Sequence, residues 1–295
     1  MYEKRYGLSR RPFPATPDSD RYYPAASHEA ALAAMECGLA GDESFVLVTG
    51  AAGTGKTLLG HVLLDRLPEG SVSALLTNSH LPDRSALLQA ILYDLRLPYA
   101  DRGEQVLRLR LTDQLLQNCA AGKRTVLVVD EAQHLGADLL EELRLLTNLE
   151  AGSRKAVQVV LIAQPEILET LKQPALTAFA QRLAVRSRLE ALGVEEACDY
   201  LQHHLRQAGA EPEKVFDESA LEVLARGSGG VPRRLNQAAH QALLLADAGD
   251  LAGVDAEAAL EALAFFGLAP TEDEAAVRPV AGSIESFEVG QRRSA

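Results

Sequence analysis

Gly50-Ala51-Ala52-Gly53-Thr54-Gly55-Lys56-Thr57 follows the apolar run Phe45-Val-Leu-Val-Thr49 and opens a stretch of helical character that stops at Pro68. These eight residues fit G-x-x-x-x-G-K-[ST], and a strand before and a helix after are the context that the pattern's chemistry needs. The glycines let the loop curl until successive backbone N–H groups point at one anion. The N-terminus of the following helix, expected over residues 56–67, adds its partial positive charge. Lys56 is placed to reach the β- and γ-phosphates of a nucleotide, and the Thr57 hydroxyl to ligate Mg²⁺. A glycine-rich turn with no ligand is the competing reading, and eight matching positions in this context disfavour it.

A second stretch completes the chemistry. Thr125-Val-Leu-Val-Val-Asp130-Glu131 is an apolar strand ending in two carboxylates. A strand buried on both faces reads as such a continuous apolar block, and its end places Asp130 beside the loop of residues 50–57, where it can hold Mg²⁺. Glu131 is then placed to polarise an attacking water. Taken alone, Asp-Glu after a strand is better read as a helix cap; the upstream phosphate loop reverses that judgement. No Asn-Lys-x-Asp guanine-reading motif occurs, which favours ATP over GTP.

Outward from these two motifs, strand and helix signals alternate. Strands are expected at residues 45–49, 71–77, 125–129, 157–163 and, more polar and at an edge, 185–192. Helices are expected between them at 28–39, 56–67, 85–97, 104–121 and 137–149. The pattern predicts an α/β fold, a P-loop nucleotide-binding domain with a five-stranded parallel sheet flanked by helices. From residue 194 only helices follow, near 194–208, 217–226, 231–247 and 255–265, a small all-helical lid. The expected division is an extended arm over 1–27, the α/β domain over 28–193, the lid over 194–267 and a structureless tail over 268–295.

Composition bounds the rest. The 295 residues carry a net charge of -12, so strong non-specific binding to nucleic acid is disfavoured, because phosphate neutralisation supplies most of that affinity. Cys37, Cys119 and Cys198 form no C-x-x-C or Cys/His pattern. The N-terminus lacks an apolar signal core, and the longest apolar runs fall far short of the ~20 residues that span a bilayer. A cytoplasmic chain is expected, reaching the inner membrane only through a partner.

Several further stretches carry a resemblance. Tyr6-Gly-Leu, Pro12-Phe13, Pro17-Asp18 and Tyr22-Tyr23 precede His28-Glu-Ala-Ala-Leu32; Asp130-Glu-Ala-Gln-His-Leu135, Leu143-Arg-Leu-Leu-Thr-Asn-Leu149, Ala163-Gln-Pro-Glu166 and Gly229-Gly-Val-Pro-Arg-Arg-Leu-Asn236 follow in order. Together they resemble the AAA+ ATPases, and within them the general secretion pathway protein A family, over residues 2–265. The resemblance implies roles for more residues. Gln164 occupies the sensor-1 position, where an amide hydrogen-bonds the γ-phosphate or the attacking water. Arg233 matches sensor 2, with Arg234 as the rival. Of Arg182, Arg186 and Arg188, Arg182 matches best the finger that completes a neighbour's site. The adenine pocket is expected to draw on Tyr22, Tyr23 or His28. A finger in trans implies a homo-oligomer formed in ATP. The resemblance also implies a role in assembling an envelope machine for secretion, pili or polysaccharide export. A DNA-associated, transposition-type ATPase and a slow nucleotide-gated interaction switch share the same chemistry and stand as alternatives.

Overall fold

The computed structural model describes residues 2–100, 103–152 and 154–268. Five strands, β1 (Phe45–Gly50), β2 (Val72–Leu76), β3 (Thr125–Val129), β4 (Gln158–Ala163) and β5 (Leu183–Leu189), form one sheet. All its neighbours pair in parallel, in the order β2-β3-β4-β1-β5. The five expected parallel strands are therefore present, and their C-terminal ends share one edge.

Every residue of β1, β3 and β4 is buried, because helices cover both faces and the two-residue period of a strand sends alternate side chains to each. Val46, Val48, Val126, Val128, Val160 and Ile162 meet α1 (Ala26–Ala40) and α2 (Lys56–Asp65). Phe45, Leu47, Leu127, Val129, Val159 and Leu161 pack the other way, among residues of α3 (Arg84–Asp94), α4 (Glu104–Ala120) and α5 (Ala137–Leu146). The edge strand β5 differs. Only its end residues Leu183 and Leu189 are buried, while Ala184, Arg186 and Arg188 are exposed. It starts two residues before the expected 185 and stops at 189, because Leu192 leaves the sheet and packs in the lid instead. α3 is shorter than expected: the Asp83 carboxylate caps it by accepting from Ala86 N, and the chain turns at Arg96, whose φ of +58° is left-handed. A small antiparallel hairpin, Glu150–Ala151 with Arg154–Lys155, was not expected from the sequence.

The lid consists of α6 (Val194–Gln207), α7 (Glu218–Gly227), α8 (Pro232–Ala248) and α9 (Ala256–Phe265), with a short turn of helix at Pro212–Val215. Leucines at helical spacing, among them Leu201, Leu205, Leu224, Leu235, Leu243 and Leu263, meet at its centre. The structure corrects the extended arm. Tyr2–Arg5 is a turn of helix, and Tyr2, Tyr6, Leu8 and Phe13 are buried in the lid's own core. Ser9 donates both its N–H and its hydroxyl to Ala208 O at 2.8 Å, and Arg5 pairs with Asp250 at 2.7 Å. Four large apolar side chains in thirteen residues make this segment part of the lid, since leaving each exposed would forgo about 1.5–3 kcal/mol. The chain then passes a 3-10 turn, Ser19–Arg21, capped by the Asp18 carboxylate, on its way to α1. The tail that the sequence marks as structureless lies outside the described residues, apart from Leu268.

Candidate active site

Because β4 lies between β1 and β3, the shared edge brings three functional segments together. The loop after β1 and Asp130 after β3 flank Gln164 after β4. Above this edge a cleft of about 350 Å³ runs from the loop to the lid. Gly53, Gly55, Lys56, Thr57, Leu58, Tyr23 and Arg233, all expected at the nucleotide, line it together with Glu131. Gly50, Ala51, Ala52 and Thr54 form the loop itself without lining the cleft. The Ala51 carbonyl accepts from both Lys56 Nζ and Thr54 Oγ1, each at 2.9 Å.

The loop can only be built with glycine at two of its positions. Gly53 and Gly55 have φ of +83° and +95°, in the region that L side chains rarely adopt. A Cβ at Gly55 would also come within 2.9 Å of His28 Nε2, and one at Gly53 within 2.9 Å of Arg233 Cβ. Among the described residues, the N–H groups of Gly53, Gly55, Lys56 and Thr57 make no backbone hydrogen bond. They form a set of donors at the N-terminus of α2, which fits an anion such as a polyphosphate. His28 was expected near the adenine. Its ring lines the cleft and lies against the loop, 2.8 Å from Thr54 O, and burial lowers its pKa.

Lys56 is 5% exposed. Burial lowers its pKa, while the charges of Glu131 and Asp130 act to raise it. Thr57 Oγ1 donates to Asp130 Oδ2 at 2.6 Å. Asp130 is buried, and its other oxygen accepts from Glu131 N at 2.9 Å. A hydroxyl and a carboxylate in direct contact are the hard oxygen donors that Mg²⁺ takes, so these two residues fit that ion. Glu131 is half-buried in the left-handed region, with φ of +51°. Its Oε2 accepts from Gln133 Nε2 at 2.5 Å and from Gln164 Nε2 at 3.1 Å. Burial resists ionisation of Glu131, but the two amides and the Lys56 charge outweigh it and hold the carboxyl below its ordinary pKa. The carboxylate is thus a charged hydrogen-bond acceptor at the edge of the cleft.

The lid closes the other side. Gly229 and Gly230 turn the chain with φ of +61° and +68°, and a Cβ at Gly230 would collide with the backbone of Leu192. This turn seats Pro232 and Arg233 over the loop, where Arg233 N donates to Gly53 O at 3.2 Å. Arg182, Arg186 and Arg188 do not line the cleft. Arg182 is half-buried just before β5, and Arg186 and Arg188 are exposed on that strand. The far end of the cleft contains residues that the sequence did not mark as site residues: Phe13 and Arg21 from the N-terminal segment, and Tyr200, His204 and Asn236 from the lid. Gln133, which the sequence reading gave no role although it stands in the stretch Asp130–Leu135, is hydrogen-bonded to both Glu131 and Gln164.

The family described as "AAA domain" matches residues 40–171. General secretion pathway protein A of Aeromonas hydrophila is 43% identical over 247 residues, which is 83% of this chain. The chain spans 45% of that relative's length. Among solved structures, the ORC2 protein of Aeropyrum pernix matches with a TM-score of 0.68 and 16% identity, covering 87% of this chain and 71% of that one. Cdc6p of Pyrobaculum aerophilum matches at 0.66 and 15% identity, covering 83% and 70%. At such identities these two establish the fold alone. The chain has the AAA P-loop NTPase fold and, over most of its own length, is similar to general secretion pathway protein A.

Proposed function

We propose that this protein binds ATP with Mg²⁺ and hydrolyses it to ADP and phosphate, using the cycle to assemble or remodel a partner complex. The observation that carries this reading is Glu131: a charged carboxylate on the wall of the cleft that also holds Lys56, Thr57 and Arg233. In the proposed reaction Glu131 accepts a proton as the water oxygen attacks the γ-phosphorus and ADP departs. Lys56 and Arg233 counter the phosphate charge from opposite sides, and Gln164 restrains the base. Bound Mg²⁺, held by Thr57 and Asp130, would neutralise charge on the β- and γ-phosphate oxygens.

Arg233 links this chemistry to motion, because its backbone is bonded to the phosphate loop while its helix belongs to the lid. Loss of the γ-phosphate removes an attraction between the two bodies, a rigid-body switch. The position of Arg182 outside its own cleft supports a role in a neighbour's, so activity requires a homo-oligomer formed in ATP. The similarity to general secretion pathway protein A supports an envelope secretion component as the partner. Action on the cytoplasmic side, through that partner, completes the reading; no helix among the described residues is long and apolar enough to cross a membrane.

The test is an ATPase assay with and without duplex DNA, paired with light scattering in ATP. Lys56→Ala and Glu131→Gln should each lose turnover by about 10²–10⁴-fold, and Glu131→Gln should retain nucleotide. Undiminished hydrolysis in both would sink the proposal. Stimulation by DNA would redirect it towards a DNA-loaded ATPase.

A further inference from the structure

We propose that Gln133 is a positioning residue for hydrolysis: it fixes the Glu131 carboxylate through one oxygen and leaves the other free to meet water. The inference rests on the reading of Glu131 as the base and assigns what holds it in place.

Glu131 needs a support because nothing intrinsic fixes it. It leaves β3 in a left-handed conformation, with φ of +51° and ψ of +36°. A glutamate adopts that conformation at a cost, and it persists only where the surroundings over-determine it. The surroundings here are explicit. Glu131 N is bonded to Asp130 Oδ1, and Glu131 O accepts from His134 N at 3.0 Å. A 3-10 turn, Ala132–His134, follows, and Ala132 is fully buried. The turn brings Gln133 back alongside the carboxylate.

The orientation of the Gln133 amide is settled by a second contact. Its Oε1 accepts from Gln164 N at 2.9 Å. A flipped amide would set its NH₂ against that N–H, so the nitrogen must face Glu131, where it donates to Oε2 at 2.5 Å. Gln164 Nε2 donates to the same Oε2 at 3.1 Å. Both amides therefore hold one oxygen, and among the described residues no protein donor is bonded to Oε1. Gln133 thereby ties together the ends of β3 and β4. On its outer side it meets His134 Nε2 at 3.2 Å, and the His134 ring stacks on His80 at 4.0 Å.

Steady-state and single-turnover ATPase kinetics on the full chain test this role, with Gln133→Ala, Gln133→Met and Gln133→Glu. Misplacing a catalytic group by about 1 Å costs up to ~10²-fold. In Gln133→Ala kcat should fall about 10- to 100-fold, with KM and the affinity for a fluorescent ATP analogue unchanged within about twofold. Met fills the same space without the hydrogen bonds and should be no better than Ala; Glu sets a second carboxylate against the first and should be worse. In a Glu131→Gln background the Gln133→Ala change should cost nothing further, because residues acting as a unit are not additive. Full turnover in Gln133→Met would show Gln133 to be only packing and overturn the proposal. So would faster hydrolysis in Gln133→Ala, which would make the amide a latch, or losses that multiply with Glu131→Gln. A Glu131→Gln chain with normal turnover overturns the base itself, and this role with it.

Discussion

The two ends of the cleft are built in opposite ways. At the phosphate end the functional side chains of the α/β domain follow the strands of one sheet, on the loop, turn or first helical residues after them, and already have partners: Lys56 with Ala51 O, Thr57 with Asp130, Glu131 with Gln133 and Gln164. At the far end the walls come from two distant stretches of chain, the segment around residues 11–23 and the lid helices α6 and α8. Among the described residues, the buried His204 Nδ1 there has no hydrogen-bond partner. One end is assembled once the sheet forms. The other exists only while the N-terminal segment and the lid stay docked, so chemistry and closure should be separable by mutation.

The largest expected effect breaks the first end and leaves the second intact. Glu131→Gln should lower turnover by about 10²–10⁴-fold, while the resistance of the lid to proteolysis stays as in the parent chain. A lid that loosens in this variant would mean the two ends are not separable. The reciprocal break is at Phe13, which is 1% exposed and packs edge-on to Phe216 and His204 at ring distances of 6.3 Å. Phe13→Ala should destabilise the lid by about 3–5 kcal/mol, read as earlier proteolysis or faster amide exchange of α6 and α8. At saturating ATP its kcat should change far less than that of Glu131→Gln.

The same contrast explains what the sequence discloses. The phosphate end is written in two contiguous stretches, residues 50–57 and 125–131, whose apolar runs and spacing state both strand and chemistry. The far end is scattered over Phe13, Tyr23, Leu192, Tyr200, His204 and Asn236, and no local pattern unites positions that only packing brings together. The N-terminal segment read as an extended arm because its Pro-rich stretch has no period; its residues are held by lid residues far along the chain, Tyr2 by His240, Phe13 by His204 and Ser9 by Ala208. Gln133 was visible as a residue but not as a role. A role at that position depends on β4 lying beside β3, and sheet order cannot be read from either strand alone.

The third effect sharpens the comparison through pH. Burial, followed by the nearby charges of His203 and Arg21, pushes the His204 pKa down to about 4, with Asp18 acting weakly the other way. The native state therefore holds this imidazole neutral, whereas the unfolded chain protonates it near 6.5. With the folded pKa below the unfolded one, its contribution is present above pH ~6.5 and is lost as pH falls towards ~4, by roughly 3 kcal/mol in total. The lid should loosen on acidification across that window, and His204→Gln should flatten the dependence. An equally steep loss in His204→Gln would assign it to other groups.

The smallest predicted effect lies where the two ends meet, at Gly53. Its carbonyl accepts Arg233 N from the lid, while its own φ of +83° shapes the phosphate loop. An added methyl would strain that backbone by about 1–2 kcal/mol, and it would also stand 2.9 Å from Arg233 Cβ and 3.1 Å from Val231 Cγ1. The contact penalty falls in the closed state, since an open lid relieves it, whereas the backbone strain belongs to the loop in either state. Gly53→Ala should thus weaken ATP binding by about tenfold and shift the lid towards open without removing any catalytic group. If the loop strain alone matters, affinity falls but lid proteolysis in saturating ATP matches the parent. If the contact with Arg233 matters too, the lid stays more susceptible even when ATP is bound, and trimming Val231 to Ala in the same chain should leave that excess in place, because Arg233 Cβ is the nearer atom.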